Sequence, residues 1–133
     1  MKKPSIKHGV YLIILLGIVI YRYSNLFTPS NENKEVEITV LDELRSKRLI
    51  YTKHAECRMD CRFISEEEIA EALRSGQINY QKSDLNDTPC PTYAVEDNTP
   101  DGQRVRIVFA DCDDVVKVVT AIDLNGEYSC HCK

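Results

Sequence analysis

The sequence predicts an α+β protein in which an N-terminal membrane helix precedes two to three helices packed on a four-stranded antiparallel meander. Three observations lead to this prediction. An uncharged apolar run lies near the N-terminus, helical periodicity continues to about Gly76, and apolar and polar residues alternate from Gln77 onwards. With 133 residues the chain has room for one domain. We divide it into a membrane anchor or signal segment (1–23), a polar tether (24–36) and a globular domain (37–133).

The apolar run extends from Val10 to Tyr21 without a charge, and three lysines precede it. A basic start suits a signal peptide, but no small-residue cleavage site follows the run. Residues 9–27 approach the roughly 20 residues needed to cross a bilayer if Arg22 lies at the interface. We therefore favour a single-pass anchor that contacts the membrane through residues 9–27. The positive-inside rule then places the globular domain outside the cytoplasm.

Helix signals follow the tether in order. Residues 36–49 have the spacing of an amphipathic helix, and residues 50–51 form a brief extended link. Thr52 is a candidate N-cap for a helix that contains His54. Residues 65–68, Ser-Glu-Glu-Glu, form a capping box that starts the next helix, and Gly76 is a natural cap at its end.

The second half of the chain carries the alternation of strands. Ile78 and Tyr80 alternate with polar residues in the first strand, and a turn at 98–102 joins the second and third strands as a hairpin. The second, third and fourth strands are predicted at residues 93–96, 104–109 and 115–122. Because each strand follows its predecessor along the chain, we expect an antiparallel meander with the helices on one face.

One group of residues resembles a known family. The segment from about Leu49 to Ile122 resembles the family called domain of unknown function 4258. The residues that carry the resemblance are Thr52-Lys53-His54-Ala55, Arg58-Met59, Arg62, Ile69, Gly76 and a Val-Val-Lys-Val-Val-Thr strand. That family is similar to the small RelE-type and barnase-like ribonuclease toxins, in which helices precede a four-stranded sheet. The resemblance implies this fold and places the family's polar positions on His54, Arg58 and Arg62.

These three residues recur at four-residue intervals, so a helix brings them to one side as a cationic stripe. Imidazole transfers protons near neutral pH, and guanidinium binds phosphate or carboxylate. Arg104 and Arg106 alternate with the core residues of the third strand and emerge on the other face of the sheet. One hypothesis is a metal-independent ribonuclease site whose catalytic residues are His54, Arg58, Arg62, Arg104 and Arg106. The alternative is that the arginines form structural ion pairs with nearby acids.

The six cysteines are Cys57, Cys61, Cys90, Cys112, Cys130 and Cys132. Cys90 and Cys112 lie in loops at the same end of the predicted sheet, so a disulfide between them is geometrically reasonable. The two helix thiols, Cys57 and Cys61, can pair with Cys130 and Cys132 in the tail. The same four residues are alternatively ligands for a tetrahedral zinc, and no other cofactor is expected. An oxidising compartment favours the disulfides, and the cytoplasm favours zinc.

Charge and composition narrow the function classes. Four of the 17 basic residues and none of the 21 acidic residues lie in the first 24 positions, so the rest of the chain has a net charge of −8. An acidic domain argues against a nucleic-acid partner. We therefore predict a membrane-tethered, disulfide-stapled protein of the bacterial envelope that binds an unknown protein or small ligand. A ribonuclease-like enzyme and a zinc-binding module are the alternatives.

Overall fold

The first helix, α1, spans Ile6–Leu26 in the computed structural model, which describes residues 6–26 and 31–133. The chain divides into two compact units, Met1–Lys34 and Glu35–Lys133, and each is described by itself. The apolar side chains of α1 from Val10 to Tyr23 are exposed.

The predicted single-pass anchor is wrong, because no helix in the described parts of the chain combines the length and the apolar character that a bilayer crossing needs. Although α1 has 21 residues, its uncharged run reaches only from Val10 to Tyr21, where Arg22 ends it. That run is well short of the roughly 20 apolar residues required. The predicted membrane localisation rested on this anchor and is overturned with it.

The remaining elements follow in the order α2 (Asn31–Ser46), β1 (Arg48–Tyr51), α3 (Lys53–Arg62), α4 (Glu66–Ser75), β2 (Gln77–Ile78), β3 (Thr92–Asn98), β4 (Arg104–Cys112) and β5 (Val115–Asp123). The helix α2 begins inside the segment predicted as a polar tether, 24–36, of which residues 27–30 lie outside the described residues. The loop between β2 and β3 folds back on itself through an isolated bridge between Asp84 and Thr92.

The domain is α+β, but the predicted four-stranded antiparallel meander is wrong. The sheet has five strands in the order β1-β5-β4-β3-β2, and it is mixed because β1 pairs with β5 in parallel, with Arg48 opposite Val115. The other pairs are antiparallel. The link at residues 50–51 thus belongs to an edge strand. A strand of four residues has too few positions to show alternation, and its partner lies far along the chain.

One hydrophobic core joins one face of the sheet to α2, α3 and α4. From the sheet it takes alternate residues such as Val105, Ile107 and Phe109 of β4, each at most 1 % exposed. The helices contribute Leu41, Leu44, Ala55, Met59, Ile69, Ala72 and Leu73. Ala55 and Met59 lie four residues apart on α3, so this helix has one side against the sheet and another side available for polar groups.

The caps that were predicted for α3 and α4 are present. The Thr52 hydroxyl accepts a hydrogen bond from the Ala55 amide at 3.0 Å, which caps α3. In the capping box of α4, the Ser65 amide donates to the Glu68 carboxylate at 2.8 Å and the Glu68 amide donates to the Ser65 hydroxyl at 3.2 Å. Thr52 also donates its backbone amide to Val118, which ties the start of α3 to β5.

Candidate functional site

The cationic stripe consists of His54, Arg58 and Arg62 on α3, and all three side chains are half-buried. The four-residue spacing places them one above the other on the flank of the helix next to its core-facing side. The Arg58 guanidinium donates through Nε to His54 Nε2 at 3.4 Å. The helix has therefore turned two basic side chains towards each other.

Within residues 33–133, whose side chains the structure describes, no carboxylate forms an ion pair with this stripe. The basic residues that do form ion pairs are Arg45, Lys47, Arg74, Arg104 and Arg106. Structural pairing of Arg58 and Arg62 with nearby acids, the alternative raised by the sequence, does not occur among these residues. Two half-buried guanidiniums that form no ion pair among these residues are unusual in so acidic a domain.

Arg62 is held by the sheet. Its Nη1 donates to the backbone carbonyl of Ala121 in β5. Burial lowers the pKa of the Arg62 guanidinium, the neighbouring charge of Arg58 lowers it further, and Asp123 opposes both. The repulsion between the two arginines is therefore only partly offset by the protein itself, and an anion bound between them would relieve it.

Arg104 and Arg106 lie apart from this stripe. Their register alternates with that of Val105 and Ile107, so they occupy the face of the sheet that the helices leave open. Both contact Glu96 of β3: Arg106 Nη2 lies 2.7 Å and Arg104 Nη2 lies 3.8 Å from its carboxylate. Burial raises the pKa of the Glu96 carboxyl, but hydrogen bonds from Asn79 and Arg106 outweigh burial and lower it. The structure thus brings together only three of the five proposed catalytic residues.

All six cysteines form disulfides. Cys90 and Cys112 are joined, as are Cys57 with Cys132 and Cys61 with Cys130. The last two bridges fasten the tail antiparallel along α3, and we call them the tail clasp. Because Cys57 and Cys61 lie next to His54 and Arg58 on the helix surface, the tail runs beside the cationic stripe. The disulfide interpretation of the cysteines is confirmed.

The zinc alternative needed Cys57, Cys61, Cys130 and Cys132 as free thiolates, and in the structure each of them is oxidised. Among the described residues, no group of three or more His, Cys, Asp or Glu side chains could hold a metal ion.

A second group of residues was not predicted from the sequence. It surrounds Asp123, which is only 7 % exposed at the end of β5. Gln103 donates its amide to Asp123 Oδ2 at 2.7 Å, the Asn125 backbone donates to Oδ1 at 2.7 Å, and the Tyr128 hydroxyl adds a further hydrogen bond. The available signal was the alternation of β5, which places position 123 on the same face as buried Ala121.

Phe63 was also missed. It ends α3 in the left-handed region, with φ 57° and ψ 40°, and its side chain is 82 % exposed. The sequence carried a signal here, because only Phe63 and Ile64 separate the end of α3 from the N-cap Ser65. So short a connection between two helices requires a residue with positive φ.

We expect Asp123→Asn to destabilise the protein at neutral pH. We also expect the stability of the variant to fall less steeply than that of the parent as the pH is lowered. The hydrogen bond from Gln103 contributes most to a lowered pKa of the Asp123 carboxyl, while burial opposes it. A carboxyl with a lowered pKa stabilises the fold above its unfolded pKa of about 3.9, and this contribution disappears as the pH falls further. Urea unfolding of both proteins should show a stability gap at pH 7 that narrows below about pH 4. A gap of constant size would contradict this assignment.

These features define a class: a small α+β domain stapled by three disulfides, with a cationic helix flank that forms no ion pair within residues 33–133. Three disulfides are typical of proteins in oxidising compartments. Residues 51–123 match the family described as domain of unknown function (DUF4258), and the chain belongs to that family. The matched segment includes the cationic stripe, Cys57 and Cys61, while Cys130 and Cys132 lie beyond it. No curated protein and no solved structure matches the chain.

Proposed function

We propose that the domain binds a small anionic ligand, carrying a carboxylate or phosphate group, on the cationic stripe of α3. The observation that supports this most directly is the contact between Arg58 and His54, which join each other instead of a carboxylate. A guanidinium binds carboxylate and phosphate through two parallel hydrogen bonds, and only one Arg58 donor is engaged by His54. Among the described residues no other group accepts from Arg58, so its remaining donors can receive the ligand.

The surroundings of the stripe also suit a small anion. With a net charge of −8 beyond the first 24 residues, the chain repels extended polyanions but not a single anionic group that fits between Arg58 and Arg62. The sheet holds Arg62 through Ala121, and the tail clasp fixes the chain beside the helix. Both restraints position the stripe before a ligand arrives, which reduces the entropy lost on binding.

Arg58→Gln is expected to weaken binding of inorganic phosphate or citrate by about 10- to 100-fold, because a charge-assisted hydrogen bond contributes roughly 1.5–3 kcal/mol. The probes are titrated into the full-length chain at low salt by isothermal calorimetry. Arg48→Gln removes the same charge from an exposed position on β1 and is the matched control. We expect the melting temperature of Arg58→Gln to be unchanged or raised, since the repulsion with Arg62 is removed.

Equal affinity in Arg58→Gln and Arg48→Gln would contradict the proposal, and so would the absence of binding at low salt. A melting temperature lowered only by Arg58→Gln would indicate a structural role for this arginine instead.

A ribonuclease-like activity is the second candidate, and the contact between His54 and Arg58 favours it as well. An imidazole beside a guanidinium combines a proton-transfer group with a donor for phosphate. The separation of Arg104 and Arg106 on the opposite face leaves His54, Arg58 and Arg62 as its candidate catalytic residues. The similarity to ribonuclease toxins, which we expected from the family resemblance, bears on this candidate alone. Incubating RNA with the full-length chain and with His54→Ala tests this candidate: cleavage that His54→Ala abolishes would support the enzyme, and intact RNA would count against it.

A further inference from the structure

Phe63 combines two features that a purely structural residue would avoid. Its ring is 82 % exposed to solvent, and its backbone has φ 57° at the end of α3. Glycine or asparagine occupies such a position at lower cost, because a bulky side chain crowds the left-handed backbone. Backbone strain of this kind concentrates at ligand-binding sites.

The ring lies at the edge of an open cleft of about 360 Å³. We call it the Phe63 cleft, and the residues that line it are Arg62, Phe63, Asp101, Gly102, Gln103, Asp123, Asn125 and Tyr128. Two aromatic side chains, Phe63 and Tyr128, therefore border a surface that is otherwise polar. Tyr128 is 39 % exposed, so part of its ring also faces solvent.

The buried carboxylate of Asp123 holds the residues of the cleft wall together through hydrogen bonds. Asp123 accepts hydrogen bonds from Gln103, from the Asn125 backbone and from the Tyr128 hydroxyl. Gln103 donates in addition to the Arg62 carbonyl at 3.0 Å, which connects this network to the end of α3. Because the bridge from Cys61 to Cys130 follows closely after Tyr128, the tyrosine is fixed from both sides. The cleft is thus formed before any ligand binds.

We propose that the Phe63 cleft binds a neutral oligosaccharide. Aromatic rings provide flat apolar surfaces for the C–H face of a pyranose ring. The planar side chains of Arg62, Asp101 and Asn125 offer donors and acceptors in the paired arrangement that adjacent hydroxyl groups require. An open groove, unlike a closed pocket, accommodates a chain of sugars.

Charge distinguishes this site from the anion site proposed above. In the cleft one guanidinium, Arg62, faces two carboxylates, Asp101 and Asp123, so an anionic ligand would be repelled. Arg62 belongs to both sites, but His54 and Arg58 do not line the cleft, and no carboxylate within residues 33–133 forms an ion pair with them. Arg58→Gln therefore tests the anion site and Phe63→Gly tests the cleft, so each proposal can fail without the other.

The test uses the full-length chain labelled with ¹⁵N and titrated with cellotetraose, maltotetraose and tetra-N-acetylchitotetraose. We expect at least one of them to shift the amide signals of Phe63, Asn125 and Tyr128. Adenosine is added as a comparison, since a nucleobase can also stack on the aromatic rings. Failure of all three oligosaccharides to shift these signals would overturn the proposal, as would binding of adenosine alone.

Phe63→Gly separates a binding role from a structural one. The substitution removes the ring and also the strain at φ 57°, so we expect affinity to fall by about tenfold or more while the melting temperature stays the same or rises. Tyr80→Ala, which removes an aromatic ring that is 45 % exposed outside the cleft, should retain the affinity. Unchanged affinity in Phe63→Gly would overturn the proposal, and so would a loss of affinity accompanied by a lower melting temperature.

Discussion

Replacing all four cysteines of the tail clasp by serine is expected to lower the free energy of unfolding by about 7 kcal/mol, whereas removing either bridge alone should cost about 2–3 kcal/mol. The bridges span sequence separations of 75 and 69 residues and lie side by side. When one is removed, the other still closes the long loop, so only a short loop is opened. Removing both releases the long loop as well.

This non-additivity can be measured by urea denaturation of the full-length chain, followed by circular dichroism. The proteins compared are Cys57→Ser with Cys132→Ser, Cys61→Ser with Cys130→Ser, and the quadruple variant. The bridge from Cys90 to Cys112 closes a shorter loop, with a sequence separation of 22, inside the long loop. Because it changes the closure entropy of the long loop by only about 0.3 kcal/mol, the destabilisation caused by its removal should add to that of either clasp bridge, and it is therefore the control. If the free energy of unfolding lost in the quadruple variant equalled the sum of the losses in the two double variants, the nested arrangement of the two clasp bridges would be contradicted.

Gly76→Ala is expected to destabilise the protein by about 3 kcal/mol, because there is no room for a methyl group at the end of α4. A Cβ at this position would collide with the carbonyl oxygen of Ala72, would come within 2.6 Å of Val95 Cγ1 and would lie 3.0 Å from the carbonyl oxygen of Glu96. Two of these atoms belong to the backbone and cannot move without displacing the helix or β3.

Gly126→Ala is the matched control, since the nearest atom to its Cβ would be Cε2 of Tyr128 at an ordinary 3.5 Å. We expect its free energy of unfolding, measured with urea, to remain within about 0.5 kcal/mol of the parent. If Gly76→Ala lowered the free energy of unfolding as little as Gly126→Ala, the close approach of α4 to β3 would not require a glycine at this position.

Local signals in the sequence were sufficient to predict the helix starts and the main hairpin. Thr52 and Ser65 act as N-caps as expected, since each satisfies amides within its own first turn. The turn at residues 98–102 joins β3 and β4 as predicted. Gly76 caps α4, but with φ −70° and not with a left-handed backbone. The glycine is required by the proximity of β3, which no local pattern reveals.

Other features depended on partners distant in the chain. The parallel pairing of β1 with β5 joins residues such as Leu49 and Val116. An edge strand of four residues is too short to show the alternation from which a strand is predicted. That the helix thiols pair with the tail was accessible because helix spacing makes a bridge between Cys57 and Cys61 awkward, but which tail cysteine each one takes was not. The network of Asp123 and the cleft beside Phe63 required three segments to meet, so they became visible only in the folded chain.

The position of the bridge between Cys57 and Cys132 has a mechanical consequence. A force applied to the two chain termini enters the domain at its N-terminal side, peels α2 and β1 away and reaches Cys57. From there it crosses the sulfur–sulfur bond to Cys132, next to the last residue. The intervening segment, which contains α3 from Cys57 onwards, α4 and the other four strands, cannot be extended by such a pull while that bond is intact. Under tension the protein therefore has an extensible arm before Cys57 and a covalently locked body after it.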